Sequence, residues 1–313
     1  MMGERVFGVD LGGTTVKMGL FDNEGKVLRK WEIPTRKEDA GSHILPDIAA
    51  SIKEKMKEEG MEASDVTGVG IGVPGPVDSK GVIHKAANLG WGEFSISEEL
   101  GSLLGGIRVM AGNDANVAAL GEMWQGGGKG CRNMVAVTLG TGVGGGIIVD
   151  GEILTGATGA GGEIGHIHIV DDESEACGCG NHGCLEQYAS ATGVTRLAKQ
   201  RLEKDDTPSV LRERSLSAKT VWDAVKEGDG LALEVARQFG HYLGKGLAAV
   251  AAVVNPEVFV IGGGVSKAGE ILFDFVRDEY KKYVFHGSRE ARFVLATLGN
   301  DAGIYGAARL VLN

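Results

Sequence analysis

Two glycine-rich turns, at residues 10–14 and 138–146, constrain the fold of this chain more than any other feature. Each turn lies between two strand-like runs, so each is predicted to be the tip of a β-hairpin. The repetition predicts two related halves that each offer a hairpin to a ligand between them. Helices and strands alternate as in an α/β protein, and 313 residues suffice for two lobes with a binding cleft.

The first turn reads Asp10-Leu11-Gly12-Gly13-Thr14-Thr15-Val16-Lys17. Glycines let backbone N–H groups approach phosphate oxygens closely, and a carboxylate at a strand end can hold Mg²⁺ through water. A plain hairpin turn explains the same residues equally well, so this motif alone leaves both interpretations open.

The second turn, residues 139–146, contains a formal G-x-G-x-x-G. A dinucleotide fold requires a helix after these glycines, whereas residues 147–151 resemble a strand and a turn, so we expect a hairpin phosphate loop instead. A Walker-type loop is excluded because Gly126-Gly127-Gly128-Lys129 is followed by Gly130. Gly262-Gly263-Gly264 lies between a predicted strand and helix, where it either meets a nucleotide or packs the strand against the helix.

A cysteine cluster lies in a polar, glycine-rich stretch, where Cys177, Cys179 and Cys184 have C-x-C-x4-C spacing. Three such thiolates favour zinc over free thiols or a disulfide with one spare thiol, and zinc requires one more ligand. His166, His168 and His182 are near enough in sequence to supply it. The remaining cysteine, Cys131, is isolated and is expected to be a small buried hydrophobe.

Carboxylates and amides that could bind a polyol lie around this cluster and after a predicted strand. Asp114 follows Asn113 at the start of a predicted helix, where it could be a base or simply the helix N-cap. Glu163 and Glu186 flank the cysteine stretch, so a metal there would hold them close together as acceptors for sugar hydroxyls. Asn88 could supply an amide, although a turn is the commoner role for such an asparagine.

Charge and hydropathy limit the possible partners. The net charge is −10 and no Lys/Arg-rich block is present, so we expect no nucleic-acid partner. No apolar run has membrane-spanning length, and residues 1–5 lack the apolar core of a signal peptide. We therefore expect a cytoplasmic protein with reduced or metal-bound cysteines.

The ordered set of motifs resembles the ROK family (repressors, open reading frames, kinases), most closely its bacterial glucokinases. The motifs are DLGGTTVK at 10–17, VPGPVD at 73–78, NLGW at 88–91, NDAN at 113–116, TLGTGVGGG at 138–146, GAGGEIGH at 159–166, CGCGNHGCLE at 177–186 and IGGGVS at 261–266. The resemblance runs nearly end to end.

This resemblance implies a two-lobed, actin-like ATPase (ribonuclease H-like) fold with the active site in the interdomain cleft. We expect a smaller α/β lobe of residues 1–113 plus 300–313, and a larger α/β lobe of residues 114–299 carrying the zinc loop. The implied reaction is ATP-dependent phosphorylation of glucose at the 6-hydroxyl, with Mg²⁺, a structural Zn²⁺ and a homodimer or tetramer.

The resemblance also implies residue roles. Asp114 is the implied catalytic base. The implied sugar contacts are Asn88, Asn113, Asp114, Glu163, His166 and Glu186. The nucleotide and Mg²⁺ contacts are expected to be Asp10, Gly12, Gly13, Thr14, Lys17, Gly140, Thr141, Gly142 and Gly264. The implied zinc ligands are His166, Cys177, Cys179 and Cys184.

Three alternatives remain open within the sequence. The sugar could be fructose, mannose, allose or N-acetylmannosamine. The chain could be a sugar-sensing regulator without catalysis, although the predicted base and both phosphate loops argue against this. Polyphosphate could be the phosphoryl donor, although an acidic chain shows no basic groove for it. We expect no DNA-binding helix-turn-helix, because the first predicted strand begins close to residue 1.

Overall fold

The computed structural model describes residues 5–84 and 86–312. Residues 1–4, which contribute to the expectation about a signal peptide, lie outside this description. No helix within the described residues is both long enough and apolar enough to cross a bilayer.

The first sheet has five strands in the order β3-β2-β1-β4-β7. These strands are β1 (Arg5–Leu11), β2 (Thr15–Asp22), β3 (Val27–Pro34), β4 (Val66–Val73) and β7 (Val109–Asn113). Strands β1, β2 and β3 form an antiparallel meander, and β4 and β7 extend the sheet in parallel. A short ribbon of β5 (Val82–Ile83) and β6 (Phe94–Ser95) lies between β4 and β7 in the chain.

The second sheet also has five strands, in the order β10-β9-β8-β11-β12. They are β8 (Met134–Leu139), β9 (Val143–Val149), β10 (Glu152–Ile153), β11 (Val258–Gly262) and β12 (Arg292–Leu295). Strands β8, β9 and β10 form an antiparallel meander, and β11 and β12 continue it in parallel. The two sheets therefore have the same topology, which confirms the prediction of two related halves.

The helices of the described residues are α1 (Glu38–Gly41), α2 (Ile44–Glu58), α3 (Ile96–Leu103), α4 (Asp114–Gln125), α5 (Glu186–Ala189), α6 (Ala191–Lys204), α7 (Ala218–Lys226), α8 (Gly230–Val254), α9 (Ile271–Tyr283) and α10 (Ala302–Val311). Helices α2 and α3 share an apolar core with the first sheet, and α5 to α9 share a larger core with the second. Helix α8 begins at Asp229, whose side chain accepts a 2.9 Å hydrogen bond from the N–H of Ala232.

Helices α4 and α10 cross each other closely, and glycines make the crossing possible. A methyl group at Gly121 would overlap the carbonyl oxygen of Ala302, and one at Gly306 would overlap that of Val117. Gly8 and Gly70 of the first sheet leave similar room for α10. Part of the high glycine content thus serves helix packing, and not only the turns and ligand contacts that glycine usually indicates.

The strands around both glycine-rich turns are as predicted, whereas helices α3 and α9 differ from the prediction. Helix α3 was not predicted, although Ser95 caps it by accepting a 3.2 Å hydrogen bond from the N–H of Glu98. The segment after Gly262-Gly263-Gly264, where a helix was predicted, is instead a 3₁₀ turn, Val265–Ala268, followed by α9 at Ile271. Gly269, with a φ of 91°, separates the two because a left-handed residue interrupts a helix.

Candidate active site

The junction of β7 and α4 places Asn113 and Asp114 side by side. Asn113 is the N-cap of α4, and its side-chain oxygen accepts hydrogen bonds from the N–H groups of Ala115 at 3.0 Å and Asn116 at 3.2 Å. Its amide nitrogen donates to the carbonyl oxygen of Gly75 at 3.1 Å. Because Asn113 does the capping, Asp114 is the first helical residue, and the N-cap alternative for Asp114 is wrong.

The carboxyl group of Asp114 is half-buried, and its Oδ1 accepts a 2.8 Å hydrogen bond from the N–H of Ala115. Burial raises the pKa of Asp114 above its ordinary value of 3.8, while hydrogen bonds lower it and the charge of Glu163 raises it further. The raised pKa makes Asp114, when it is ionised, a better proton acceptor than an ordinary aspartate.

The tip of the β1–β2 hairpin is closed by a 3.0 Å hydrogen bond from the N–H of Gly12 to the carbonyl oxygen of Thr15. The hydroxyl of Thr35 donates to the carbonyl oxygen of Gly12 at 2.7 Å and fixes the turn from outside. Gly13 and Thr14 are exposed, and the Cβ position of Gly13 faces open space. This tip leaves room for a phosphate to approach the backbone.

Asp10 precedes this tip and lies against the first turn of α10, where a methyl group at Gly303 would overlap it. Burial raises the pKa of Asp10, Lys17 lowers it, and the charge of Asp114 raises it. Asp10 and Lys17 are paired residues of the hairpin, and the Lys17 ammonium donates to the carbonyl oxygen of Asn300 at 3.2 Å. The hairpin therefore brings one carboxylate and one ammonium to the side on which Asp114 lies.

The β8–β9 hairpin has a tip of the same kind, closed by a 3.0 Å hydrogen bond from the N–H of Gly140 to the carbonyl oxygen of Gly142. Thr141 is exposed at this tip. Gly142 is packed against Glu186, whose Oε2 accepts a 3.3 Å hydrogen bond from the N–H of Val143. The second hairpin is thus linked directly to a predicted sugar contact.

The cysteine cluster brings four possible metal ligands together, and these are His166, Cys177, Cys179 and Cys184. Their ligand atoms all lie within 4.8 Å of one another. The Cys179 and Cys184 sulfurs are 3.7 Å apart, and the Cys177 sulfur is 3.8 Å from Nδ1 of His166. Zinc bonds of about 2.0–2.3 Å place tetrahedral ligand atoms roughly 3.5–3.8 Å apart, so this donor set fits zinc.

His166 connects this cluster to the two glutamates. Its Nδ1 lies 3.8 Å from Oε1 of Glu186, and its Nε2 lies 3.9 Å from Oε2 of Glu163. The Cys177 thiol also donates to Oε1 of Glu186 at 2.9 Å. Glu163, His166 and Glu186 therefore form one group, as their positions on either side of the cysteines predicted, and the charge of Glu163 acts on Asp114.

Among the predicted sugar contacts, Asn88 has the weakest observed connection to the others. It is exposed in a 3₁₀ turn, Ala87–Leu89, and the contacts of the described residues do not join it to Asp114 or Glu163. The following Trp91 donates its indole N–H to the carbonyl oxygen of Gly41 at 3.2 Å and fixes the end of this loop. The role of Asn88 in sugar binding stays a prediction.

A cavity of about 530 Å³ lies between α4, the second sheet and the start of α10. Its lining includes Thr138, Gly262, Gly264 and Asn300. Gly264 faces open space, whereas a methyl group on Gly263 would lie 2.6 Å from the carbonyl oxygen of Leu139. Close packing therefore explains Gly263, while Gly264 is free to meet a nucleotide.

Polar residues that were not predicted as site residues also line this cavity, among them Glu122, Lys267 and Asn300. Lys267 immediately follows the Val265-Ser266 turn after the glycines, which was a usable signal. The other two were not detectable from local pattern, because they reach the cavity through contacts distant in sequence.

The chain belongs to the ROK family, whose model matches residues 6–313. The glucokinase of Halalkalibacterium halodurans is 42% identical over 310 residues, which cover 97% of this chain and 94% of that protein. This membership and the two matching sheets give the two-lobed, actin-like ATPase fold that the motifs implied.

Two crystal structures are similar over nearly the whole chain. The ROK hexokinase from Thermus thermophilus has a TM-score of 0.80 at 33% identity and covers 97% of this chain and 96% of its own. A ROK family glucokinase from Streptomyces griseus, in complex with glucose and AMPPNP, has a TM-score of 0.71 at 36% identity and covers 98% of both chains.

Proposed function

We propose that this chain is an ATP-dependent hexose kinase that transfers the γ-phosphoryl group of ATP to the 6-hydroxyl of glucose, giving glucose 6-phosphate and ADP. The proposal rests on the half-buried Asp114 carboxylate, whose pKa is raised by burial and by the charge of Glu163, a member of the Glu163–His166–Glu186 group. The similar glucokinase crystallised with glucose and AMPPNP supports the choice of both substrates.

Asp114 accepts the proton of the 6-hydroxyl while the sugar oxygen bonds to the γ-phosphorus. The bond from this phosphorus to the β,γ-bridging oxygen breaks, and ADP leaves with that electron pair. Asn113, Glu163, His166, Glu186 and Asn88 orient the sugar through its other hydroxyls. Closure of the cleft excludes water, which would otherwise receive the phosphoryl group.

The phosphates lie across the two hairpin tips in this proposal. The first tip offers Gly12, Gly13 and Thr14, and the second offers Gly140, Thr141 and Gly142. Gly264 contacts the nucleoside side. Mg²⁺, when bound, neutralises charge on the β- and γ-phosphates, and Asp10 would hold it through water while Lys17 adds a positive charge.

Zinc is proposed at His166, Cys177, Cys179 and Cys184. With four protein ligands the site is closed, so the metal's role is to hold the loop and with it Glu186 and His166. Metal analysis of the purified chain should give about one zinc per chain. Chelation should lower both the melting temperature and the affinity for glucose, and a metal-free chain with unchanged stability would remove zinc from the account.

Initial rates of ADP release with a panel of hexoses test the function. We expect kcat/KM to be highest for glucose, with lower values for mannose, fructose, allose and N-acetylmannosamine. A different best hexose would keep the reaction class and change the substrate. No sugar-dependent ADP release with any hexose would contradict the proposal and favour a regulator.

Three further predictions from the sequence accompany this function. We retain lobe boundaries at residues 113/114 and 299/300, a homodimeric assembly and a cytoplasmic location. Scattering from the purified chain measures the assembly directly, and a monomer at micromolar concentration would contradict it.

A further inference from the structure

Helix α4 carries a second acidic residue near the cleft, Glu122, which the phosphoryl transfer does not use. Its side chain is only 4% exposed. Oε2 accepts hydrogen bonds from the N–H groups of Gly127 at 2.8 Å and Thr297 at 3.1 Å, and Oε1 accepts one from Leu298 at 2.9 Å. A buried carboxylate is costly without such partners, so these three bonds stabilise it in this position.

The segment whose N–H groups bond to Glu122 leads to the residues on which the first hairpin rests. Thr297 and Leu298 precede the 3₁₀ turn Gly299–Asp301 and the start of α10. In that segment the carbonyl oxygen of Asn300 accepts the Lys17 hydrogen bond, and Gly303 packs against Asp10. The two charged side chains of the first hairpin therefore rest on a segment whose beginning is fixed by Glu122.

The other end of α4 holds the proposed base. Asp114 is the first residue of this helix, and Glu122 lies about two turns later. One rigid helix thus connects the base to the support of the β1–β2 hairpin. Glu122 also lines the cavity together with Thr138 and Gly264, so it lies beside the second sheet.

We propose that Glu122 is a positioning residue for phosphoryl transfer. It sets the distance between Asp114 and the β1–β2 hairpin by holding residues 297–298, and it contacts neither substrate's reacting atoms. The inference rests on the proposed function. It predicts an effect on ATP use and turnover, and a much smaller effect on glucose binding, because the predicted sugar contacts lie outside the 297–303 segment.

Glu122→Gln is the first test, since glutamine has nearly the same shape but only one acceptor oxygen. Its amide group would face a backbone N–H, so at least one of the three bonds is lost. We expect kcat/KM for ATP to fall about 10- to 100-fold, as misplaced catalytic groups commonly cause, while KM for glucose changes less than threefold. Hydrogen exchange of a peptide containing Thr297 and Leu298 should become faster.

Glu257→Gln is the matched control. Oε1 of Glu257 also accepts two backbone hydrogen bonds, from Arg132 at 2.8 Å and Asn133 at 2.9 Å. Glu257 and its two partners lie at the beginnings of β8 and β11, whereas the cleft lies at the other ends of these strands. Because one oxygen accepts both bonds, glutamine can keep them while the charge is lost, and this variant should keep the wild-type KM for ATP and kcat.

Glu122→Asp keeps both oxygens but withdraws them by one methylene group, and it serves if Glu122→Gln does not fold. A smaller fall in kcat/KM for ATP, again with little change in KM for glucose, supports the proposal. Faster exchange at 297–298 with unchanged kcat and KM for ATP would overturn it, as would equal changes for glucose and ATP or equal changes in Glu257→Gln. A wild-type chain without sugar-kinase activity would remove the proposed function and this inference together, whereas an active wild type with an unaffected Glu122→Gln would remove only the inference.

Discussion

The β1–β2 and β8–β9 hairpins occupy equivalent places in two sheets of the same topology, yet their surroundings differ. Asp10 comes just before the Leu11-Gly12 tip, and Thr138 just before the Leu139-Gly140 tip. Asp10 is paired with Lys17, whereas Thr138 is paired with Gly144. The first hairpin thus carries charge, and the second carries neutral backbone.

What lies behind each hairpin also differs. The first rests on the start of α10, and the second rests on Glu186 and the cysteine cluster. Two sheets of the same topology therefore present different groups to the site. In the proposed reaction, the first half supplies charge for a metal-bound phosphate, and the second supplies backbone N–H groups together with sugar acceptors.

Asp114 lies where the two halves meet, so its removal should disable both tasks together and give the largest effect. Asp114→Asn keeps the size of the side chain and removes the base. We expect kcat to fall about 10³-fold, within the range usual for general bases, while glucose binding measured by calorimetry changes little. A kcat within tenfold of wild type would mean that another group accepts the proton of the sugar hydroxyl.

Asp10→Asn tests the charge of the first half. Loss of the carboxylate should lower kcat about 100-fold and raise the Mg²⁺ concentration needed for half-maximal activity. Thr138→Val changes the equivalent position of the second hairpin, and its kcat should fall less than tenfold. Equal losses in the two variants would contradict the division between a charged and a neutral hairpin.

Gly142→Ala tests the support of the second half. The added methyl group overlaps Oε2 of Glu186, so either the hairpin tip or the glutamate must move. We expect KM for glucose to rise about tenfold, because small displacements of binding groups weaken substrate positioning. Gly230→Ala, which places its methyl group in open space at the start of α8, should leave KM unchanged.

Glu173→Gln should have the smallest effect, on stability alone. The Arg196 guanidinium, whose Nη2 lies 2.7 Å from Oε2 of Glu173, lowers the pKa of Glu173 to about 2. Loss of the charge should cost about 1.5–3 kcal/mol of unfolding free energy. Glu175→Gln, at an exposed partner of the same arginine, should cost less than about 1 kcal/mol.

The pH dependence of the stability difference between wild type and Glu173→Gln gives a second readout. The folded-state pKa of Glu173 is depressed below its ordinary value of 4.5, so the pair contributes fully above pH 4.5. The contribution is lost as pH falls through about 2. The difference in melting temperature between wild type and Glu173→Gln should therefore shrink below pH 4.5, and a constant difference down to pH 2 would contradict the assignment.

The hairpins, the metal cluster and most helices were predictable from sequence because their signals are local. Turn glycines, cysteine spacing and apolar periodicity each act over a few residues. The choice between Asn113 and Asp114 as N-cap was not predictable, since both residue types cap helices well. The observed hydrogen bonds of Asn113 show that Asn113 is the N-cap, so Asp114 is not.

Glu122 is an example of a contact that local sequence patterns do not predict. Its partners Thr297 and Leu298 are 175 and 176 residues away, so no periodicity connects them. The same holds for Gly8 and Gly70, whose absent side chains make room for α10. Contacts of this kind depend on how the two halves are assembled, which is a tertiary property.

The central claim is that the cleft between the two hairpins joins the γ-phosphoryl group of ATP to the 6-oxygen of glucose. Proton–phosphorus correlation NMR of the product formed by the wild-type chain tests this most directly. We predict a correlation between the new phosphorus and the two protons on carbon 6. A correlation to the proton on carbon 1, or inorganic phosphate as the only product, would contradict it.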